Sequence, residues 1–233
     1  MFIDSGNSNF IIFISYNEPN ADENFNKLIN RYPRSKRIHG VKGIHQAHIE
    51  AAKLATTDLF WVVDGDAVIV DDFDFNFAVN FHMRTAVHVW RSCNPINDLE
   101  YGYGGVKLLP RNLTLNMDVT SADMTTSISR NFRIINKVSN ITAFNTDPFT
   151  TWRSAFRECC KLSSKVINGQ VSAETAERLE IWCSVGQDKP YGEYAIKGAL
   201  AGNLYGQENA ANKAALSLIN DFDWLKSQFQ QTH

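Results

Sequence analysis

Two stretches of five consecutive apolar residues, Phe10-Ile11-Ile12-Phe13-Ile14 and Leu59-Phe60-Trp61-Val62-Val63, constrain this chain more than any other feature. Each stops abruptly at polar residues, Ser15-Tyr16-Asn17-Glu18-Pro19 in the first case and Asp64-Gly65-Asp66 in the second. A run that is apolar at every position has no face to offer water. Both therefore read as strands buried on two sides, the kind found in parallel sheets covered by helices. Between them Phe25, Leu28, Ile29 and Tyr32 recur at the spacing of one helix face, opened near Asp22 and ended by Pro33. A second helix follows the turn Gly40-Val41-Lys42-Gly43, with Ile44, Ala47, Ala51, Leu54 and Ala55 inward. The order strand, helix, short strand, helix, strand within 66 residues predicts an α/β sheet with parallel strands.

Beyond residue 66 the pattern changes. Val68-Ile69-Val70, Ala86-Val87-His88-Val89-Trp90 and Val106-Lys107-Leu108-Leu109 read as short strands. Residues 112–140 are polar and mixed, and read as loops with a short helix. Asp147-Pro148 has the form of a helix start, an N-cap acid followed by Pro at the first helical position, with Trp152, Ala155, Phe156 and Cys159 as the apolar stripe. A helix over 173–182 is expected, then an irregular glycine- and tyrosine-bearing stretch over 186–206, then a helical tail over 209–229. No internal repeat and no strong linker divides the chain, so one domain over 1–233 is expected.

Composition narrows the function classes. Of 233 residues 44% are hydrophobic and 21% charged, which excludes a disordered tail, a coiled coil and a collagen-like chain. With 23 basic against 25 acidic residues, the net charge of −2 argues against generic coating of nucleic acid. No apolar run approaches the roughly 20 residues of a membrane span, and the N-terminus has no basic segment of a signal peptide. The four cysteines, Cys93, Cys159, Cys160 and Cys183, contain no C-x-x-C pair, so neither a zinc pattern nor a disulfide framework is indicated. A reducing, cytoplasmic setting is the expectation.

The chemistry centres on Asp64-Gly65-Asp66. Ligands of open α/β sheets sit at the carboxyl ends of strands. Two carboxylates one residue apart in such a turn can face a hard cation such as Mg²⁺ or Mn²⁺, which takes oxygen ligands and shares them with substrate phosphates. The alternative is a surface turn with two solvated acids. Asp71, Asp72 and Asp74 have no strand-end placement and read as a solvated acidic face.

With a first strand opening the fold, a helix–strand return and a buried strand ending in D-x-D, the chain resembles GT-A fold glycosyltransferases over about residues 8–160. The resemblance implies a GT-A-like, Rossmann-like α/β fold with a mixed central sheet flanked by helices and a C-terminal helical extension. It divides the expected domain into a nucleotide-sugar part over about 8–110, an acceptor-side part over about 111–208 and a C-terminal helix over 209–233. It implies a nucleotide-sugar donor, a UDP-sugar being the expected one, and Mn²⁺ or Mg²⁺ bridging the donor diphosphate. Asp66 is then placed on the metal and Asp64 on the metal or the ribose, with Ser15, Tyr16, Asn17 and Glu18 near the nucleotide.

Inverting members of the family carry an x-E-D motif at a helix start with an Arg further along. Here Asn145-Thr146-Asp147 and Arg153 match, with Thr146 in place of the Glu. Asp147 is thus a candidate base for the acceptor hydroxyl, or an N-cap only; the helix macrodipole favours its anion in either role. The family's third metal ligand has no clear counterpart, Asp188 and His233 being the nearest candidates. His39, His45 and His48 read as packed or surface residues.

Several other residues have two readings. Gly104 and Gly105, with the tyrosines of Tyr101-Gly102-Tyr103, either admit a sugar close to the backbone or form a plain bulge. Lys42 and Arg91 either contact phosphates or are surface charges. The segment Arg31-Tyr32-Pro33-Arg34-Ser35-Lys36-Arg37, with four cations in seven residues, either positions nucleic-acid phosphates or forms a solvated loop. Compact GT-A-like chains of this kind resemble bacteriophage enzymes, some of which glycosylate hydroxymethylated cytosine in DNA, so DNA is an acceptor the resemblance admits. A nucleotidyltransferase, which also uses paired acids and a cation, and a non-enzymatic nucleotide- or DNA-binding module are the competing readings.

Overall fold

The structure, a computed structural model, describes residues 2–4, 10–102, 104–167 and 169–232. The chain is arranged as two compact units. The first comprises residues 1–93, 100–119 and 124–143, and the second residues 94–99, 120–123 and 144–233.

The first unit holds β1 (Phe2–Asp4), β2 (Ile11–Ser15), α1 (Ala21–Arg31), β3 (Lys36–His39), α2 (Ile44–Leu54), β4 (Leu59–Asp64) and β5 (Ala67–Ile69). It continues with β6 (Ala78–Asn80), β7 (Val87–Cys93), β8 (Glu100–Tyr101), β9 (Val106–Pro110), α3 (Arg111–Leu115), α4 (Met124–Ile128) and β10 (Phe132–Thr142). Its main sheet runs β3-β2-β4-β9-β7-β10-β5, with β8 beside β7. β2 pairs in parallel with β3 and with β4, and β7 with β10, whereas β9 runs antiparallel to both β4 and β7. This mixed α/β sheet flanked by helices agrees with the mixed α/β architecture expected from the sequence.

The two apolar runs form the centre of that sheet. Leu59, Trp61 and Val63 of β4 pack in one cluster with Ile11, Phe13 and Leu28. Phe60 and Val62 pack in the other with Ile12, Ala51, Ala52 and Ala55. Side chains alternate across a strand, so β4 has no polar face because α1 covers one side of it and α2 the other.

One part of this unit departs from expectation. Residues 132–140, within the stretch read as loops with a short helix, belong to the 11-residue strand β10. Its pairing with β7 slips between Ile135 and Val138 and again between Val138 and Asn140. Bulges of this kind erase the period-two pattern by which a strand is recognised. Its buried Ser139, Asn140 and Thr142 are polar and bond to one another and to Ser92.

The second unit contains α5 (Pro148–Ser164), α6 (Ser172–Ser184), α7 (Gly192–Glu208), α8 (Lys213–Ser217) and α9 (Phe222–Thr232). Asp147 caps α5 as expected, its Oδ1 accepting from the Thr150 amide at 2.9 Å, with Pro148 at the first position. The stretch read as irregular is largely α7, a 17-residue helix. Its glycines are packing residues: a Cβ on Gly198 would lie 2.3 Å from the Trp152 carbonyl oxygen, and one on Gly202 2.1 Å from that of Phe156. Glycine in a helix interior costs about 1 kcal/mol relative to Ala, offset here because two helix backbones approach where no side chain fits.

Candidate functional site

The D-G-D turn lies at the carboxyl end of β4, between β4 and β5. It is held by backbone bonds: the Asp64 amide donates to the Gly105 carbonyl at 2.9 Å and the Ala143 amide to the Asp66 carbonyl at 2.7 Å. Asn24, buried on α1, donates its side-chain amide to the Gly65 carbonyl at 3.0 Å. The carboxyl ends of β2 and β4 are adjacent because these strands pair in parallel, Ile14 opposite Asp64. That register brings Glu18, four residues on from Ile14, to the turn. The Glu18 carboxylate accepts from the Tyr16 amide at 2.8 Å and packs over Gly65, where a Cβ would lie 2.7 Å from Oε2 and 3.0 Å from Ser15 Cβ. A Cβ between the two aspartates would have to displace the Glu18 carboxylate.

Burial first, then the negative charges of Asp64 and Glu18, push the Asp66 carboxyl up from the ordinary 3.8 to about 7, against the lesser pull of Lys107. Asp66 thus sits in a surplus of negative charge. Such a site suits a divalent cation bound by one or two carboxylates and completed by phosphate and water oxygens. Among the described residues no group of three His, Cys, Asp or Glu side chains is gathered to hold a metal unaided. Asp64, Asp66 and Glu18 supply carboxylate oxygens, the donor type that Mg²⁺ or Mn²⁺ takes.

Lys107 on β9 was not expected at the site. It is 2% exposed, and its ammonium donates to Asp64 Oδ1 and Oδ2, each at 2.7 Å, and to the Gly104 carbonyl. A lysine inside an otherwise apolar strand has to find an anion, and that was the available signal. Gly104, at φ +94°, and Gly105 are both buried beside the turn. A Cβ on Gly105 would lie 2.5 Å from Asn140 Nδ2, so the polar network of β10 supports the loop from below.

The remaining expected residues divide clearly. Ser15 is buried; Arg37 Nε donates to its hydroxyl at 2.8 Å, and that hydroxyl lies 3.0 Å from His39 Nδ1. Tyr16 and Asn17 are exposed in the loop after β2, and Lys42 is exposed in the turn before α2. Tyr101 is buried, so its ring is not presented to a ligand; Tyr103 and His233 lie outside the described residues. Arg91 is engaged within the sheet, with the Glu100 carbonyl and Asn136. His48 is a packed histidine: burial first, then the Lys107 charge, push it well below the ordinary imidazole value, and Nδ1 donates to the Ile44 carbonyl. Asp71, Asp72, Asp74 and Asp188 are exposed. Arg37 is committed to Ser15 and to Asp22 at 2.6 Å and lies over Phe13 and Phe25, whereas Arg34 and Lys36 are exposed.

In the second unit, burial raises the Asp147 carboxyl, but hydrogen bonds from Thr150, Thr146 and the Phe149 amide outweigh it and hold the group below the ordinary value. Arg153 is buried, 4.2 Å from the centre of the Phe222 ring.

No protein-family model matches the chain, and no curated protein matches it. Among solved structures it is similar to a mannosyltransferase, PcManGT, from Pyrobaculum calidifontis in complex with GDP-Man and Mn²⁺. The identity is 11%, the match covers 95% of this chain and 87% of that one, and the TM-score is 0.42. A likeness of that degree assigns no function. No helix among the described residues is long and apolar enough to cross a membrane.

Proposed function

We propose that the protein is a divalent-metal-dependent glycosyltransferase that moves a sugar from a nucleotide-sugar donor to a hydroxyl acceptor. The observation that carries this reading is the D-G-D turn at the end of a buried strand, with Glu18 packed over its glycine and a surplus of negative charge on Asp66. Asp66 and Glu18 would hold the cation, and Asp64 the nucleotide. When bound, the cation would neutralise charge on the diphosphate leaving group. The protein's own part is orientation: Gly65 leaves room for the Glu18 carboxylate over the turn, Asn24 fixes the turn, and Ser15 to Glu18 border it on the β2 side.

Asp147 is the proposed base. Its hydrogen bonds keep it ionised at neutral pH, so it can accept a proton from an acceptor hydroxyl, although a carboxylate of low pKa is a weak base. A base of this kind would make the transfer inverting. UDP is the donor nucleotide we propose, and DNA bearing hydroxymethylcytosine is the acceptor to be tested first, with Arg34 and Lys36 available to phosphates. Thermal-shift screening of nucleotide sugars with and without Mn²⁺ tests the donor reading, because a ligand that binds only the folded state raises its stability. Stabilisation by a nucleotide sugar that needs Mn²⁺ is expected; none by any nucleotide sugar would overturn the proposal.

A further inference from the structure

We infer that Lys107 is a positioning residue that makes the two aspartates of the D-G-D turn unequal: it clamps Asp64 to the Gly104 loop and leaves Asp66, with Glu18, to take the divalent cation. This rests on the metal reading above and assigns the roles within it. A lysine ammonium has three protons to give. Here two go to the two oxygens of Asp64 and the third to the Gly104 carbonyl, so the group is fully spent on holding these two parts together. The clamp is reinforced by the backbone, since the Asp64 amide donates to the neighbouring Gly105 carbonyl at 2.9 Å. The register β4 against β9, Val62 opposite Lys107, places the ammonium beneath the turn on the same sheet face as Asp64.

Both Asp64 oxygens therefore already face a positive charge, and a cation approaching Asp64 would have to share them with it. Asp66 follows Gly65 directly, and the Glu18 carboxylate packs over that glycine, so the second acid of the turn lies beside another carboxylate. Lys107 thereby sets where the cation sits.

Mn²⁺ alone is titrated into the full-length protein, and free Mn²⁺ is read from its electron paramagnetic resonance signal. Asp66→Asn is expected to weaken binding by about tenfold or more, whereas Asp64→Asn stays within about threefold of the parent. Lys107→Met is expected to tighten Mn²⁺ binding by about threefold or more, because Asp64 is released to the cation, and the double variant with Asp64→Asn to return to the parental affinity. Loss of a merely structural lysine would weaken binding, so tightening separates the two roles. Asp64→Asn as damaging as Asp66→Asn, or weaker binding in Lys107→Met, would overturn the assignment. Lys107→Gln replaces Lys107→Met if the latter does not fold, and the Asp64→Asn comparison needs neither. If the parent binds no Mn²⁺, the metal reading fails, and amide exchange then decides the clamp. Exchange of the Asp64 amide is expected to speed by about tenfold or more in Lys107→Met, and unchanged exchange would refute it.

Discussion

Replacing Asp66 by Asn should make the metal-free protein more stable, and increasingly so as pH rises. Asp66 is pushed up to about 7 in the folded state from 3.8, by burial and by Asp64 and Glu18. An acid whose folded value is raised contributes stability that is complete below its unfolded value and is lost as pH climbs through the folded one. The cost at pH 8 is about 4 kcal/mol in full. Asp66 is half-buried, and solvent screening reduces this to about 1–3 kcal/mol. Asn keeps the shape and removes the charge, so the variant recovers this cost. For a chain of this length about 2 kcal/mol corresponds to about 4–8 °C in Tm. The assay is thermal unfolding of parent and variant in chelator at pH 4.5 and pH 8. The expected result is a small difference at pH 4.5 and a higher Tm for the variant at pH 8. A variant equally or less stable than the parent at pH 8 would refute the reasoning, because the turn would then hold no uncompensated charge.

Other perturbations separate the remaining roles. Gly65→Ala places a methyl 2.7 Å from Glu18 Oε2, and a carboxylate on a flexible stem can swing away. Unfolding free energy should therefore fall by no more than about 2 kcal/mol, while Mn²⁺ affinity measured by calorimetry drops several-fold. Asp147→Asn retains capping, because Asn caps about as well as Asp; a base role predicts a loss of about 10²–10⁴-fold in kcat with donor affinity kept, and turnover within about tenfold of the parent would leave Asp147 as a cap only. If DNA is the acceptor, its binding should weaken steeply with salt, and charge reversal at Arg34 and Lys36 should weaken it further in a fluorescence-anisotropy titration. Salt-insensitive transfer to small acceptors would exclude DNA.

What was legible in the sequence was what a local pattern can carry. The apolar run at 59–63 announced a doubly covered strand, and its abrupt end announced the turn. Asp147-Pro148 announced a helix start because a cap and an N1 proline act within four residues. Contacts made across the fold were less visible. Glu18 meets Gly65 only through the parallel register of β2 and β4. Lys107 meets Asp64 only because β9 is inserted antiparallel beside β4. β10 was hidden by its bulges and buried polar residues, and α7 by glycines whose reason lies in the partner helix α5.

The central claim is best tested by donor turnover. Release of nucleoside diphosphate from a panel of nucleotide sugars is followed with Mn²⁺, with excess chelator, and with the Asp66→Asn variant, whose folding is confirmed by its unfolding transition. The account predicts release from at least one nucleotide sugar by the parent with Mn²⁺, and its loss in chelator and in Asp66→Asn. Full release in chelator, or by folded Asp66→Asn, would contradict it.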